Sequence, residues 1–187
     1  MMYYISKGMA YRTNGTNNVH ISRCGGEYTL NGSQAKLWLA GRFRVARAKS
    51  AIQRAELEKL DSMGLVEVTE PDAAAAYRLL TNCVICTVTP AIPRLPLNQN
   101  EKLIWTWLKN AGFKLTVSEL VFLAEQNIMP SSAFFGEDNW HNLIHAIYTT
   151  ETIFDRILDA KMEESPVRDR TVSAVIGLLR KKRIILV

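Results

Sequence analysis

No run of about 18 apolar residues occurs in the chain, so the sequence offers no membrane-spanning helix. Met1 to Ile5 is short for a signal segment and lacks a cleavage pattern, which makes cytoplasmic residence the expectation. Cysteine is scarce, three in 187 residues, and such a chain needs no disulfide. There is no nucleophile elbow, no P-loop and no dinucleotide fingerprint, nor a carboxylate pair in an environment that would set it to work. Enzyme activity and a cofactor are therefore not expected.

What is present is ordinary in bulk, 48% apolar and 22% charged, as in a soluble globular protein. The most informative stretch is Ser50 to Glu70. Ile52, Leu57 and Leu60 recur as on a helix face, Gly64 sits where a left-handed C-terminal cap belongs, and Leu65 to Thr69 has strand composition. The pattern returns at Thr171 to Val187. A shift of 119 positions lays Leu57 on Ile176, Leu60 on Leu179, Leu65 on Ile184 and Val68 on Val187. Only the pattern repeats, which points to a duplicated helix-to-strand architecture.

Charge is unevenly distributed. Residues 1 to 97 hold 12 Lys and Arg against 7 Asp and Glu, an excess of +5, while residues 98 to 187 hold 11 against 11. Lys36 to Arg54 carries Lys36, Arg42, Arg44, Arg47, Lys49 and Arg54 with no acid among them. The last twenty residues carry Arg168, Arg170, Arg180, Lys181, Lys182 and Arg183 against Asp169 alone. A basic segment beside each helix-to-strand unit suits a phosphate-facing surface, and equally a solvated basic one.

Along the chain, Tyr3 to Ile5, Met9 to Tyr11 and Val19 to Ser22 read as strands, with a hairpin turn over Thr13 to Asn18. Asn31 is placed to cap a helix over Gly32 to Ala40 with Leu37 and Leu39 or Trp38 inward, and Arg42 to Arg47 reads as a second short helix. Arg78 to Leu80 and Cys83 to Val88 are candidates for a returning strand. Pro90, Pro93 and Pro96 mark a stiff linker over 90 to 97, dividing domains at 1 to 89 and 98 to 187. The second half reads as helical: Glu101 to Ala111, then Thr116 to Asn127 opened by the capping box of Thr116 and Glu119. A long region from Asp138 to Glu164 repeats Leu143, Ile144, Ile147, Ile153, Phe154, Ile157 and Leu158 at three- and four-residue spacing. It reads as an insertion, a lid or a dimer element. Ser165 and Pro166 open the final helix.

Burying Val172, Val175, Ile176 and Leu179 leaves Arg170, Ser173, Ala174, Gly177 and Lys181 outward, small and basic with no carboxylate, a face that can approach a DNA groove. Arg168 and Arg170 lie in the first turns, where the helix dipole disfavours a cation by roughly 0.3 to 1 kcal/mol. Pairing with Glu163, Glu164 or Asp169, or a phosphate contact, would hold them. In the first half Arg42, Arg44, Arg47 and Lys49 are the better candidates, with Arg54 beside them; Glu56, Glu58 and Asp61 oppose phosphate on the helix itself. Lys182 completes the expected DNA-binding set.

Cys83 and Cys86 have the spacing of a zinc half-site that His20 and Cys24 could complete, but on a strand the two thiols would point to opposite faces, and buried structural thiols are expected. His141 and His145 stand four apart without the glutamate of a metalloprotease, since Asn142 follows the first.

The helix, helix, helix order closed by Gly64 and the strand Leu65 to Val68 resembles winged-helix DNA-binding domains over residues 28 to 89, and Arg170 to Val187 resembles them more weakly. The resemblance implies an α+β, mainly helical fold of two winged-helix-like domains, the first with an N-terminal hairpin, the second with a helical insertion. It implies duplex DNA as partner, a regulator's role, and room for a homodimer. The hairpin followed by Tyr28 to Gly32 and Ala35 to Trp38 is also similar to PqqD-type peptide-binding domains, which implies capture of a peptide as an added strand.

Overall fold

The computed structural model describes residues 1–14, 18–88, 95–112, 114–135, 139–149 and 155–187. Among these residues the chain is α+β and mainly helical, with eight α-helices and three small sheets. It divides into two compact units, Met1–Cys83 with Ile185–Val187, and Val84–Ile184. Of the linker expected at 90 to 97, residues 90–94 lie outside the described residues.

The first unit runs β1 (Met2–Ser6), β2 (Met9–Asn14), β3 (Asn18–Arg23), β4 (Gly26–Asn31), α1 (Gly32–Gly41), β5 (Ala46–Ala48), α2 (Ala51–Ser62), β6 (Val66–Thr69) and α3 (Ala75–Thr81). Strands β2, β3 and β4 form an antiparallel meander. Its tight turn is Cys24–Gly25, both at positive φ (49° and 82°), as a two-residue hairpin that follows the strand twist requires. The pairing of β2 with β3 expected of a hairpin from Met9 to Ser22 is present, residues 15–17 of its expected turn lie outside the described residues, and Tyr3 to Ile5 belongs to another sheet. There β1 lies between β5 and β6 and is antiparallel to both, with Tyr4 opposite Ala46 on one side and Val68 on the other. The edge strands thus run parallel to each other, joined by α2, a βαβ unit split by β1.

Two expectations for this unit are corrected. Arg42 to Arg47 is a turn followed by strand β5, not a helix. Ala46 and Ala48 are buried with Arg47 exposed between them, the period of two that belongs to a sheet. Arg78 to Leu80 is helical, because the alanines before it start α3, which buries Ala75, Tyr77, Leu79 and Leu80. Asn31 stands at the N-cap of α1 but makes no side-chain cap bond.

The core gathers Tyr4, Val19, Ile21, Leu30, Trp38, Leu57, Leu60 and Leu65. Its polar atoms are satisfied: the Tyr4 hydroxyl donates to Leu37 O (3.1 Å), Ser6 Oγ to Trp38 O (2.7 Å) and Trp38 Nε1 to Lys7 O (3.1 Å). Helix α2 is opened by a capping box between Ser50 and Gln53. At its end Gly64 (φ 70°) donates to Asp61 O and Leu65 N to Leu60 O, the two bonds of a Schellman turn.

The second unit comprises β7 (Ile85–Thr87), α4 (Gln99–Asn110), α5 (Val117–Glu125), a 3-10 turn at Ser132–Phe134, α6 (Trp140–Ile147), α7 (Asp155–Glu163), α8 (Arg168–Arg180) and the first residue of β8 (Ile184–Leu186). Helix α5 is its centre. Every residue from Val117 to Leu123 is buried, and α6, α7 and α8 all pack on it. Capping boxes open α4 (Asn98 with Glu101) and α5 (Thr116 with Glu119), the latter as the sequence predicts.

Among its described residues the region from Asp138 to Glu164 holds two helices; Asp138 and 150–154, with the expected apolar positions Ile153 and Phe154, lie outside the described residues. Leu143, Ile147, Leu158 and Met162 are buried in this unit, whereas Ile157 is exposed. Helix α8 starts at Arg168 with Val167 as N-cap; Ser165 Oγ, expected in that role, accepts from Val167 N one turn earlier.

Candidate nucleic-acid interface

Helix α1 ends at Gly41, where an added Cβ would lie 2.6 Å from Ser6 Oγ and 2.8 Å from Tyr4 Cε2. That close approach makes the chain leave the helix over β1 and present the next four residues as a turn. Arg42 folds back on the rings of Trp38 and Phe43, its Cζ 5.4 and 4.7 Å from their centroids, so its charge is spent on aromatic faces. Burial pulls its guanidinium below the usual arginine range. Arg44 is anchored by Nε donating to Ala40 O (3.2 Å), and Arg47 lies over the Tyr3 ring across the sheet (5.0 Å).

Between α1, this turn with β5, and the first turn of α2 lies a groove of about 490 Å³. Lys36, Arg44 and Arg47, all exposed, bring three cations to it, and Glu56 brings one carboxylate. That carboxylate is already engaged: Lys59 Nζ donates to Glu56 Oε1 (2.8 Å). The bond to Lys59, then one to Gln34, holds Glu56 below the usual carboxylate range. Among the described residues no carboxylate pairs with Lys36, Arg44 or Arg47. The Tyr4 phenol, also lining the groove, is pushed up by burial, with Arg44 pulling the other way. Ile52, 75% exposed, adds an apolar wall. A groove with three unneutralised cations and one apolar wall can take a phosphate or carboxylate chain along its rim.

Lys49 and Arg54 are exposed at the N-terminal end of α2 but do not line the groove. Lys36 and Ile52 were outside the expected set. The acid-free tract contains Lys36, so the signal for it existed. Ile52 was expected inward, yet it stands five residues from Leu57, roughly 140° around a helix at 3.6 residues per turn, and so points away from the core.

The final helix keeps part of its expected orientation, with Val172, Val175 and Leu179 buried and Arg170 and Ser173 exposed, and departs from it at Ala174, Gly177 and Lys181. Thr171, Val172, Ala174, Val175, Leu178 and Leu179 are buried, and Arg170, Ser173 and Arg180 are exposed. Ala174 and Gly177 therefore do not face outward. An added Cβ at Gly177 would lie 2.2 Å from Glu101 Oε1, so glycine makes room there for the carboxylate of α4. Lys181, expected outward, bonds that carboxylate and Pro96 O; Glu101's side chain is only 4% exposed. Arg168 donates to Asp169 Oδ1 (2.8 Å) and to Glu163 O, the protein partners that the helix dipole calls for. Lys182 is exposed, at φ 54°.

Cys83 is buried, its thiol donating to Leu79 O and pushed up to about 12 by burial. No group of three His, Cys, Asp or Glu among the described residues could hold a metal ion. No helix among them is long and apolar enough to cross a membrane. No protein-family model, curated protein or solved structure matches the chain, so its functional reading rests on the chemistry of the groove.

Proposed function

We propose that the protein is a non-enzymatic DNA-binding regulator that contacts duplex phosphates through the basic groove of its first unit. One observation carries this reading: Lys36, Arg44 and Arg47 converge on one rim while the single carboxylate beside them is tied to Lys59. Unneutralised cations so close repel one another, and a polyanion relieves the repulsion while releasing its own counterions. The winged-helix-like reading of the two units draws support from their helix-to-strand steps, through Gly64 and through Lys182. In the first unit α3 follows β6, where the winged-helix order has a returning strand.

A second reading, capture of an acidic peptide, is favoured by β5. It is an edge strand of its sheet and borders the groove, so an extended segment could pair with it beside Ile52. Fluorescence anisotropy of a random duplex across a salt series separates the two. For duplex DNA, log K falls with log salt at a slope of about −0.9 per phosphate contact, and replacing Lys36, Arg44 and Arg47 by Gln should flatten that slope by about 2 to 3. No binding at low salt, or the same slope in the triple variant, would remove the DNA reading.

A further inference from the structure

We infer that the second unit carries a separate binding site for a small organic carboxylate with an apolar body, in the groove formed by α4, the end of α5 and the start of α8. The groove holds about 490 Å³, within the range of small-ligand sites. It lies wholly in the second unit and uses none of the residues assigned to phosphate contact in the first.

The shape comes from how α5 ends. Asn127 takes the left-handed conformation (φ 53°), and Ile128 N donates to Leu123 O (2.9 Å), closing a Schellman turn. The turn brings Ile128 and Met129 alongside Leu103 of α4, the apolar side of the groove. Met129 is left 62% exposed there, an unbranched and polarisable side chain able to adapt to an apolar guest.

The charge comes from Lys102 and Arg170, the two charged residues that line the groove; no carboxylate does. Of the acids next in sequence to lining residues, Glu101 and Asp169 are committed, while Glu125 Oε2 is buried with no hydrogen-bond partner among the described residues. Glu101 is buried against Lys181 and caps α4 through Asn98 N, and Asp169 bonds Arg168. Arg170 stands in the first turn of α8, where the dipole disfavours a cation. Arg168, in the same first turn, bonds Asp169 and Glu163 O, whereas no carboxylate among the described residues pairs with Arg170. A bound carboxylate would supply a bidentate acceptor, with Lys102 as a second donor and the rest of the molecule against Leu103, Ile128 and Met129.

The test uses the whole protein with two probes that share an apolar body, phenylbutyrate and phenylbutanol. Binding is followed by the methyl NMR signal of Met129 and by calorimetry. Phenylbutyrate should move the Met129 signal saturably and bind about tenfold or more tightly than the alcohol, since a charge-assisted fork on an arginine is worth at least one decade. Arg170→Gln should weaken the acid by about tenfold while leaving the alcohol unchanged, and Lys102→Gln should weaken the acid less. Both substitutions are on exposed helix positions, and unchanged melting would show that the fold is kept. Equal affinity for acid and alcohol, undiminished binding by Arg170→Gln, or no saturable shift of Met129 would overturn the site. Loss of DNA binding in the first unit would leave all these readouts untouched.

Discussion

Helices α2 and α8 end in the same pair of backbone bonds on different residues. In the first, Gly64 N donates to Asp61 O and Leu65 N to Leu60 O; in the second, Lys182 N donates to Leu179 O and Arg183 N to Leu178 O. The left-handed position is a glycine at φ 70° in one and a lysine at φ 54° in the other. Matching these bonds sets the repeat at 118 positions, not 119. Leu60 then lies on Leu178 and Val66 on Ile184, all fully buried, and Arg183 takes the place of Leu65. Backbone closure is thus the part of the step that recurs, and side chains are fitted to it differently. Arg183 is 5% exposed, yet its Nη2 reaches Leu95 O (3.3 Å) and its Cζ lies 5.5 Å from the Trp105 ring.

The residue before each turn gives the sharpest way to break the correspondence. At the 118-residue shift Lys181 matches Met63. Lys181 is bonded to the buried Glu101, while Met63 is 39% exposed. Lys181→Glu would set two carboxylates against each other beside α8, and leaving the buried Glu101 carboxylate without its partner costs up to about 3 to 5 kcal/mol, less in so far as water reaches the half-buried position 181. Met63→Glu should cost under about 0.5 kcal/mol, as ordinary surface changes do. Urea denaturation of both variants reads the contrast. A Lys181→Glu protein as stable as the parent would mean that the pair is open in solution and the lysine free for phosphate, the role its sequence suggests.

The next largest effect belongs to Gly64. An alanine there must hold a left-handed φ, at about 1 to 2 kcal/mol. Its Cβ would also lie 2.6 Å from Arg23 Nη1, so the guanidinium must move, although as the end of a flexible side chain it can. Gly64→Ala should therefore lose about 1 to 2 kcal/mol in the same denaturation assay. A neutral result would show that the turn at the end of α2 adapts as the one at the end of α8 does.

These positions also show where sequence reasoning reached and where it stopped. Gly64 as a left-handed cap, the Thr116 and Glu119 box, and the acid-free tract from Lys36 to Arg54 were legible, because each is a local signal with a fixed spacing. Strand β5 was not: three residues, Ala46 to Ala48, are too few to display alternation, and pairing with β1 supplies what propensity does not. The outward face of α8 was drawn too wide: Arg170 and Ser173 are exposed as expected, but Ala174 is buried and Gly177 is covered by Glu101 of α4, a partner that the sequence of α8 does not announce. The bond from Lys181 to Glu101 spans 80 positions, a tertiary contact with no local trace. The groove's cations were named in part, but their convergence depends on the turn that Gly41 permits and on Arg42 being drawn away to Trp38.

The smallest effect tests the comparison from its other side. Lysine at φ 54° bears a left-handed cost of about 1 to 2 kcal/mol that Lys182→Gly would remove. Glycine also loosens the unfolded chain, which takes back about 0.4 to 1 kcal/mol, so the net gain should be about 0.5 kcal/mol, less whatever the lysine side chain holds. If the backbone bonds define the step, both ends tolerate glycine, and only the end of α2 resists anything else. A loss above about 1 kcal/mol on Lys182→Gly would mean that side-chain contacts of the lysine hold the end of α8, since the left-handed conformation itself can only become easier without a Cβ. The resemblance between the two steps would then be one of shape, reached by different forces.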